Sequence, residues 1–154
     1  MSESLGPPVR VLIVDDLTAA RLVVHRYLAA ADGVEVVGVA ESGEDAIRRV
    51  EELRPDVVVM DVQMPGMGGI EATKRIREFS PVTRVVGFGF CDDGVPASSL
   101  REAGASQFVA KGSPLIRLLK TIRENASTSP GANDADGEAA RREPSQPAAQ
   151  KRWN

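Results

Sequence analysis

Four charged side chains in this 154-residue chain each close an apolar run, and their types together could carry out phosphoryl chemistry. Asp15 and Asp16 follow Val9-Arg10-Val11-Leu12-Ile13-Val14, Asp61 ends Val57-Val58-Val59-Met60, and Lys111 ends Gln107-Phe108-Val109-Ala110. Short runs rich in β-branched residues, closed by charge or by a Pro-Gly turn such as Met64-Pro65-Gly66, read as buried strands of a parallel sheet. Parallel strands bring their carboxyl ends to one edge, and ligands of open α/β sheets bind in the crevice outside that edge. Carboxylates gathered there raise each other's pKa unless a cation intervenes, and an oxygen-only cluster suits a hard divalent ion such as Mg2+. A carboxylate can attack phosphorus and form an acyl phosphate when a metal and an ammonium neutralise the phosphoryl oxygens. Asp61 is the expected nucleophile.

The intervening segments have the pattern needed to position such a site. Leu17, Ala20, Val24, Tyr27, Leu28 and Ala31 recur at helical spacing before Asp32-Gly33. Val34-Glu35-Val36-Val37-Gly38-Val39 is a second strand, and Ser42 caps a second helix with acids in its first turn and Ala46, Ile47, Val50 and Leu53 inward. A third helix carries Ile70, Ala72, Thr73 and Ile76 as far as about Glu78, ahead of Ser80-Pro81. The segment 82–90 is a fourth strand weakened by Gly87 and Gly89, and 97–103 is a short fourth helix that Gly104 closes. Ser113-Pro114 opens a last helix with Leu115, Leu118, Leu119 and Ile122 on its core face. Strand and helix alternate throughout, which predicts one doubly wound α/β domain with helices on both faces of a five-stranded parallel sheet.

Composition narrows the function classes. A net charge of -3 and the lack of any basic block argue against direct nucleic-acid binding. No run approaches the roughly 18 apolar residues that span a bilayer, Met1-Ser2-Glu3-Ser4 has no signal-peptide pattern, and the cytoplasm is the expected location. The lone Cys91 excludes an internal disulfide, and a redox role for it would rest on position alone. His25 lies on the first helix, away from the strand ends, and reads as a partly exposed helix residue. Residues 1–7 read as a flexible N-terminus and 8–125 as the folded domain. From about Ala126 onward Leu, Ile, Val and Phe vanish, so 126–154 is expected to be a disordered tail, or a peptide that folds on a partner through Trp153.

The runs Val11-Leu12-Ile13-Val14-Asp15-Asp16, Val59 to Gly69 through Asp61-Val62-Gln63-Met64-Pro65-Gly66, and Gly104 to Lys111 resemble, in this order and spacing, the receiver domain of bacterial two-component response regulators. The resemblance implies a flavodoxin-like sheet of strand order 2-1-3-4-5. It also implies that Asp61 accepts a phosphoryl group from a histidine kinase, a phosphotransfer protein or a small phosphodonor, with self-phosphorylation and self-dephosphorylation. Asp16 and Asp61 would bind Mg2+ directly, Asp15 through water, and Gln63 through its main-chain carbonyl. Lys111 would hold a phosphoryl oxygen, and Phe108 occupies the position of the family's switch aromatic. Too few structured residues remain for a DNA-binding domain, so a stand-alone receiver is expected, its output a contact with a downstream protein or a homodimer.

One departure stands out. The family's Ser or Thr at the end of the fourth strand falls on Gly89, and the following small residue falls on Phe90. Losing that hydroxyl removes a donor worth on the order of 1–3 kcal/mol to a charged phosphoryl oxygen. Phe90 either crowds the phosphoryl pocket or, on a strand end loosened by two glycines, points outward. Two readings follow: a phosphoryl acceptor, favoured by the acids and Lys111, and a pseudo-receiver that binds its partner in one fixed conformation, favoured by Gly89-Phe90. A flavodoxin-like cofactor binder is disfavoured, because an acidic pocket repels a nucleotide phosphate.

Overall fold

Asp61 is placed by the most completely buried strand of the protein. The computed structural model of the chain describes residues 6–90 and 97–127. In chain order the elements are β1 (Val9–Val14), α1 (Thr18–Ala29), β2 (Val34–Ala40), α2 (Gly43–Leu53), β3 (Val57–Asp61), α3 (Gly69–Phe79), β4 (Arg84–Gly89), α4 (Ala97–Glu102), β5 (Gln107–Ala110) and α5 (Leu115–Ser127). Every pairing is parallel, as the strand and helix alternation predicts, and the sheet runs β2-β1-β3-β4-β5, the order that the family resemblance implies. The expectations for the N-terminal residues 1–5, for Cys91 and for the tail from 128 onward, Trp153 included, lie outside the described residues.

Because β3 is the middle strand and is covered on both faces, all five of its residues are buried. Alternate residues of each strand serve opposite layers. Leu12, Val14, Val58, Met60 and Val85 pack with Ala46 and Val50 of α2, Ala72 and Ile76 of α3 and Leu100 of α4. On the other face, Val11, Ile13, Val57, Val59, Val86, Phe88 and Val109 pack with Val24 and Leu28 of α1 and Leu118, Leu119 and Ile122 of α5. Each of the larger side chains contributes roughly 1.5–3 kcal/mol by leaving water, and this apolar gain offsets the cost of holding charges at the strand ends.

Local signals act as the sequence predicts at two ends and differently at two others. Ser42 caps α2, its Oγ accepting the Asp45 N–H at 3.0 Å. Gly104 closes the short α4 at a φ of +118°, its N–H donating to the Arg101 carbonyl at 2.9 Å. Leu17, expected on the buried stripe of α1, is instead 59% exposed: it is the N-cap residue, in extended conformation, so it lies outside the helical periodicity. Pro114, expected at the first helical position, precedes α5, and its carbonyl accepts the Arg117 N–H at 2.9 Å in a tight turn.

The loop after β3 returns to α3 through a close approach that only glycine permits. The Gly69 N–H donates to the Val62 carbonyl at 2.9 Å. A Cβ at Gly69 would lie 2.2 Å from the Asp61 carbonyl oxygen and 3.0 Å from the Val62 Cα, both backbone atoms with no freedom to yield. Gly69→Ala is therefore expected to lower unfolding stability by about 1–3 kcal/mol. Gly112→Ala, which meets no atom within 4 Å, should stay close to wild type. Urea denaturation of the two variants checks this, and equal midpoints would refute the close approach.

Candidate functional site

The pairing register sets three strand ends side by side. Val14 pairs with Met60, which places Asp15 beside Asp61, and Asp61 in turn pairs with Phe88. Gly89 pairs with Ala110, so Lys111 follows directly at the next strand edge. Asp15, Asp16 and Asp61 each offer a carboxylate oxygen, and these oxygens lie within 4.8 Å of one another, the one such cluster of potential metal ligands among the described residues. Asp15 and Asp61 are buried and Asp16 is half-buried.

Asp15 is fixed from three sides. Its Oδ1 accepts the Leu17 N–H at 3.0 Å, its Oδ2 accepts the Lys111 ammonium at 2.9 Å, and its carbonyl accepts Arg21 Nη1 at 2.8 Å. The Lys111 Nζ also stands 3.3 Å from Asp61 Oδ1, while the Lys111 backbone N–H donates to the Gly89 carbonyl at 2.9 Å. One ammonium thus bridges two acids from two strands.

Burial and the neighbouring Asp15 charge push the Asp61 carboxyl up to about 7, and Lys111 pulls against this without cancelling it. Burial works against the Lys111 ammonium, but its hydrogen bond to Asp15 and the charges of Asp61 and Asp15 outweigh that and raise its pKa. The site lacks positive charge. An oxygen-only donor set this close, with the pKa of one member raised by burial and by its neighbour, fits a hard divalent cation.

The other residues singled out in the sequence fall in distinct places. Gln63 is exposed on the loop two residues after Asp61, and His25 is half-buried on α1, outside the acidic cluster. Gly89 ends β4, where a Cβ would meet Val62 Cγ2 at 3.1 Å, so a β-branched side chain fits there only if Val62 shifts. Phe108 is half-buried and pairs with Gly87; a Cβ at Gly87 would lie 2.0 Å from Leu100 Cδ2 and 3.0 Å from Phe108 Cδ1. Leu100 and Phe108 therefore fill the space that a side chain on β4 would take.

Two contributions escaped sequence reasoning. The Arg21 guanidinium braces the β1–α1 loop through a carbonyl, which no motif signals. The rings of Phe88 and Phe90 stand 5.9 and 5.6 Å from the Lys111 Nζ, centroid to nitrogen. The alternation Phe88-Gly89-Phe90 was the available signal, since residues two apart on a strand share a side. Phe90 is 52% exposed, yet its ring turns over the lysine.

Comparison with known proteins agrees with this geometry. The profile of the response regulator receiver domain matches residues 11–123. The response regulator GacA of Pseudomonas viridiflava is 43% identical over 115 residues, 75% of this chain and 54% of that protein. The chain thus spans about half the length of the curated relatives it matches. Among solved structures, the response regulator domain of Thermotoga maritima CheB is 34% identical with a TM-score of 0.71, covering 80% of this chain and 99% of that one. The CheX-CheY-BeF3-Mg+2 complex from Borrelia burgdorferi is 25% identical with a TM-score of 0.68, covering 77% and 90%. No helix among the described residues is long and apolar enough to cross a membrane.

The raised Asp61 pKa has a definite consequence for the metal-free protein. The folded state binds a proton that the unfolded chain releases near pH 3.8, so this group's contribution to stability is complete below that pH and is lost as pH rises through about 7. Metal-free Asp61→Asn is therefore expected to be more stable than wild type above neutral pH, by about 2 kcal/mol. The difference should vanish near pH 4. Chemical denaturation of both proteins in EDTA at both pH values measures it, and an advantage of the Asn variant over wild type no larger at pH 8 than at pH 4 would contradict the assigned shift.

Proposed function

The chain belongs to the response regulator receiver domain family, and on that premise we propose that Asp61 accepts a phosphoryl group from a histidine kinase, a phosphotransfer protein or a small phosphodonor. The observation that carries the reading is the triangle of Asp61, Asp15 and the Lys111 ammonium, 3.3 Å from the first and 2.9 Å from the second, at the carboxyl edge of the sheet. The reading takes residues 8–125 as the receiver unit and 126–154 as a segment outside it.

In the reaction an Asp61 carboxylate oxygen attacks phosphorus, the bond from phosphorus to the donor's imidazole nitrogen or acyl oxygen breaks, and the donor group leaves with the electron pair. Asp61 must be ionised to attack, and the Lys111 ammonium favours that form while standing where charge grows on the phosphoryl oxygens. Asp16 and Asp61, with Asp15 through water and the Gln63 carbonyl, would hold Mg2+, which when bound supplies charge neutralisation at the same oxygens. The related CheX-CheY complex from Borrelia burgdorferi contains BeF3 and Mg+2, which supports this assignment. Asp15, already hydrogen-bonded on both oxygens, is suited to orienting Lys111 and to a water-mediated role. Output passes through contact with a downstream protein, or with a second copy of the chain.

A second reading, a binding module of fixed conformation, is favoured by one observation: Phe108 and Leu100 already occupy the space over Gly87, and Gly89 carries no hydroxyl to draw on a phosphoryl oxygen. The two readings separate in one set of measurements. With Mg2+ and acetyl phosphate, intact mass should show one phosphoryl group added to the wild type and none to Asp61→Asn or in EDTA. An unmodified wild type with every donor tried would end the acceptor reading. Hydrogen exchange of α4, β5 and α5 then reports the switch. Protection unchanged by phosphorylation in the wild type, and changed in Gly89→Ser, would support the fixed conformation.

A further inference from the structure

Lys111 lies one strand beyond β4, while the acids it serves stand on β3 and β1. Neighbouring strands are about 4.8 Å apart, so the ammonium crosses the whole end of β4 to reach Asp61 and goes further to reach Asp15. The residues at that end therefore form the surface over which the side chain lies. Gly89 offers only backbone there, and the rings of Phe88 and Phe90 both approach the ammonium, 5.9 and 5.6 Å from the Nζ. Both distances fall within the roughly 6 Å over which a ring face attracts a cation.

Phe88 belongs to the core, but Phe90 belongs to neither apolar cluster and is 52% exposed. Burial does not explain where its ring sits. The Lys111 side chain beneath it is only 11% exposed. A half-exposed ring over a sequestered ammonium is an arrangement that cation–π attraction favours.

We propose that Phe90, with Phe88 behind it, is a positioning residue: the two rings clamp the Lys111 ammonium and aim it at the phosphoryl site. The clamp takes over orienting work at a strand end where Gly89 contributes no donor. It forms no bond to the reacting atoms, and its purpose rests on the phosphoryl-acceptor reading. Two acids share one ammonium here, so the share that faces Asp61 depends on what restricts the lysine. Without the ring, water solvates the ammonium and frees it to swing towards Asp15 alone.

The test replaces Phe90 in the full chain with mono-, di- and trifluorinated phenylalanine, which keep the ring's shape and weaken its negative face step by step. Two quantities are read: the rate at which the Mg2+-loaded protein takes a phosphoryl group from acetyl phosphate, and the exchange of the Lys111 ammonium protons with water by NMR. The second needs no phosphoryl chemistry. Stepwise faster exchange, with phosphorylation falling to about one third at full fluorination, is expected, a size matching a cation–π contact at an exposed site. Phe90→Ala should move both readings the same way. A flat fluorine series beside a changed Phe90→Ala would mean a purely steric lid and would overturn the clamp, as would two flat series. Graded exchange in a protein that takes no phosphoryl group would keep the clamp's contact and remove the acceptor reading.

Discussion

One ammonium set against three carboxylates is the interaction on which this structure turns. At an effective dielectric near 20, unit charges about 4 Å apart interact by about 4 kcal/mol, so the Asp15–Asp61 repulsion and the Lys111–Asp61 attraction are of similar size. They nearly cancel, and burial then tips Asp61 towards its neutral form. The result is a pocket with a standing appetite for positive charge, satisfied by a proton, a cation or further donors. Such a site is costly, and the middle strand that bears it is accordingly the one whose other four residues are all apolar and buried. Removing the charges would stabilise the domain; keeping them is what gives it chemistry.

Topology decides who takes part. Because β3 lies between β1 and β4, the acids are neighbours by register, but Lys111 on β5 is not, and it reaches them only across β4. The end of β4 is thus both a wall of the site and a track for the lysine. Gly89 keeps that track low, its carbonyl ties Lys111's backbone in place, and the flanking aromatic rings border the side chain. On the same face of the strand, Gly87 opens a trough that Leu100 and Phe108 fill. Two glycines on alternate positions, which weaken β4 as a strand, clear one face of its end.

Much of this was legible in the sequence for a simple reason. Buried parallel strands are near-continuous apolar runs, so the charge at which each run stops marks the sheet edge, and Asp15, Asp16, Asp61 and Lys111 all announce themselves in that way. What sequence could not give depends on register or on atoms without side-chain identity. Leu17 fits a helical stripe by spacing, and only the extended backbone at the N-cap turns it outward. Arg21 acts on a carbonyl that every residue possesses. The partnership of Phe90 with Lys111 joins residues on different strands, and it becomes visible only once Gly89 is known to pair with Ala110.

The missing hydroxyl gains a physical setting from the same geometry. In the receiver pattern that the chain resembles, a hydroxyl at position 89 would do two things at once: donate to a phosphoryl oxygen and, by moving, open room beside β4 for the aromatic of β5. Here both tasks are separated. Phe108 already leans on a strand with no side chain at Gly87, so its packing does not depend on a vacated space. On the proposed acceptor reading, orientation of the phosphoryl group would fall instead to Lys111, which two carboxylates and two rings surround. On that same reading, capture of the phosphoryl group and rearrangement of the β5 surface would draw on different residues, and a domain so built could retain the first while losing its coupling to the second.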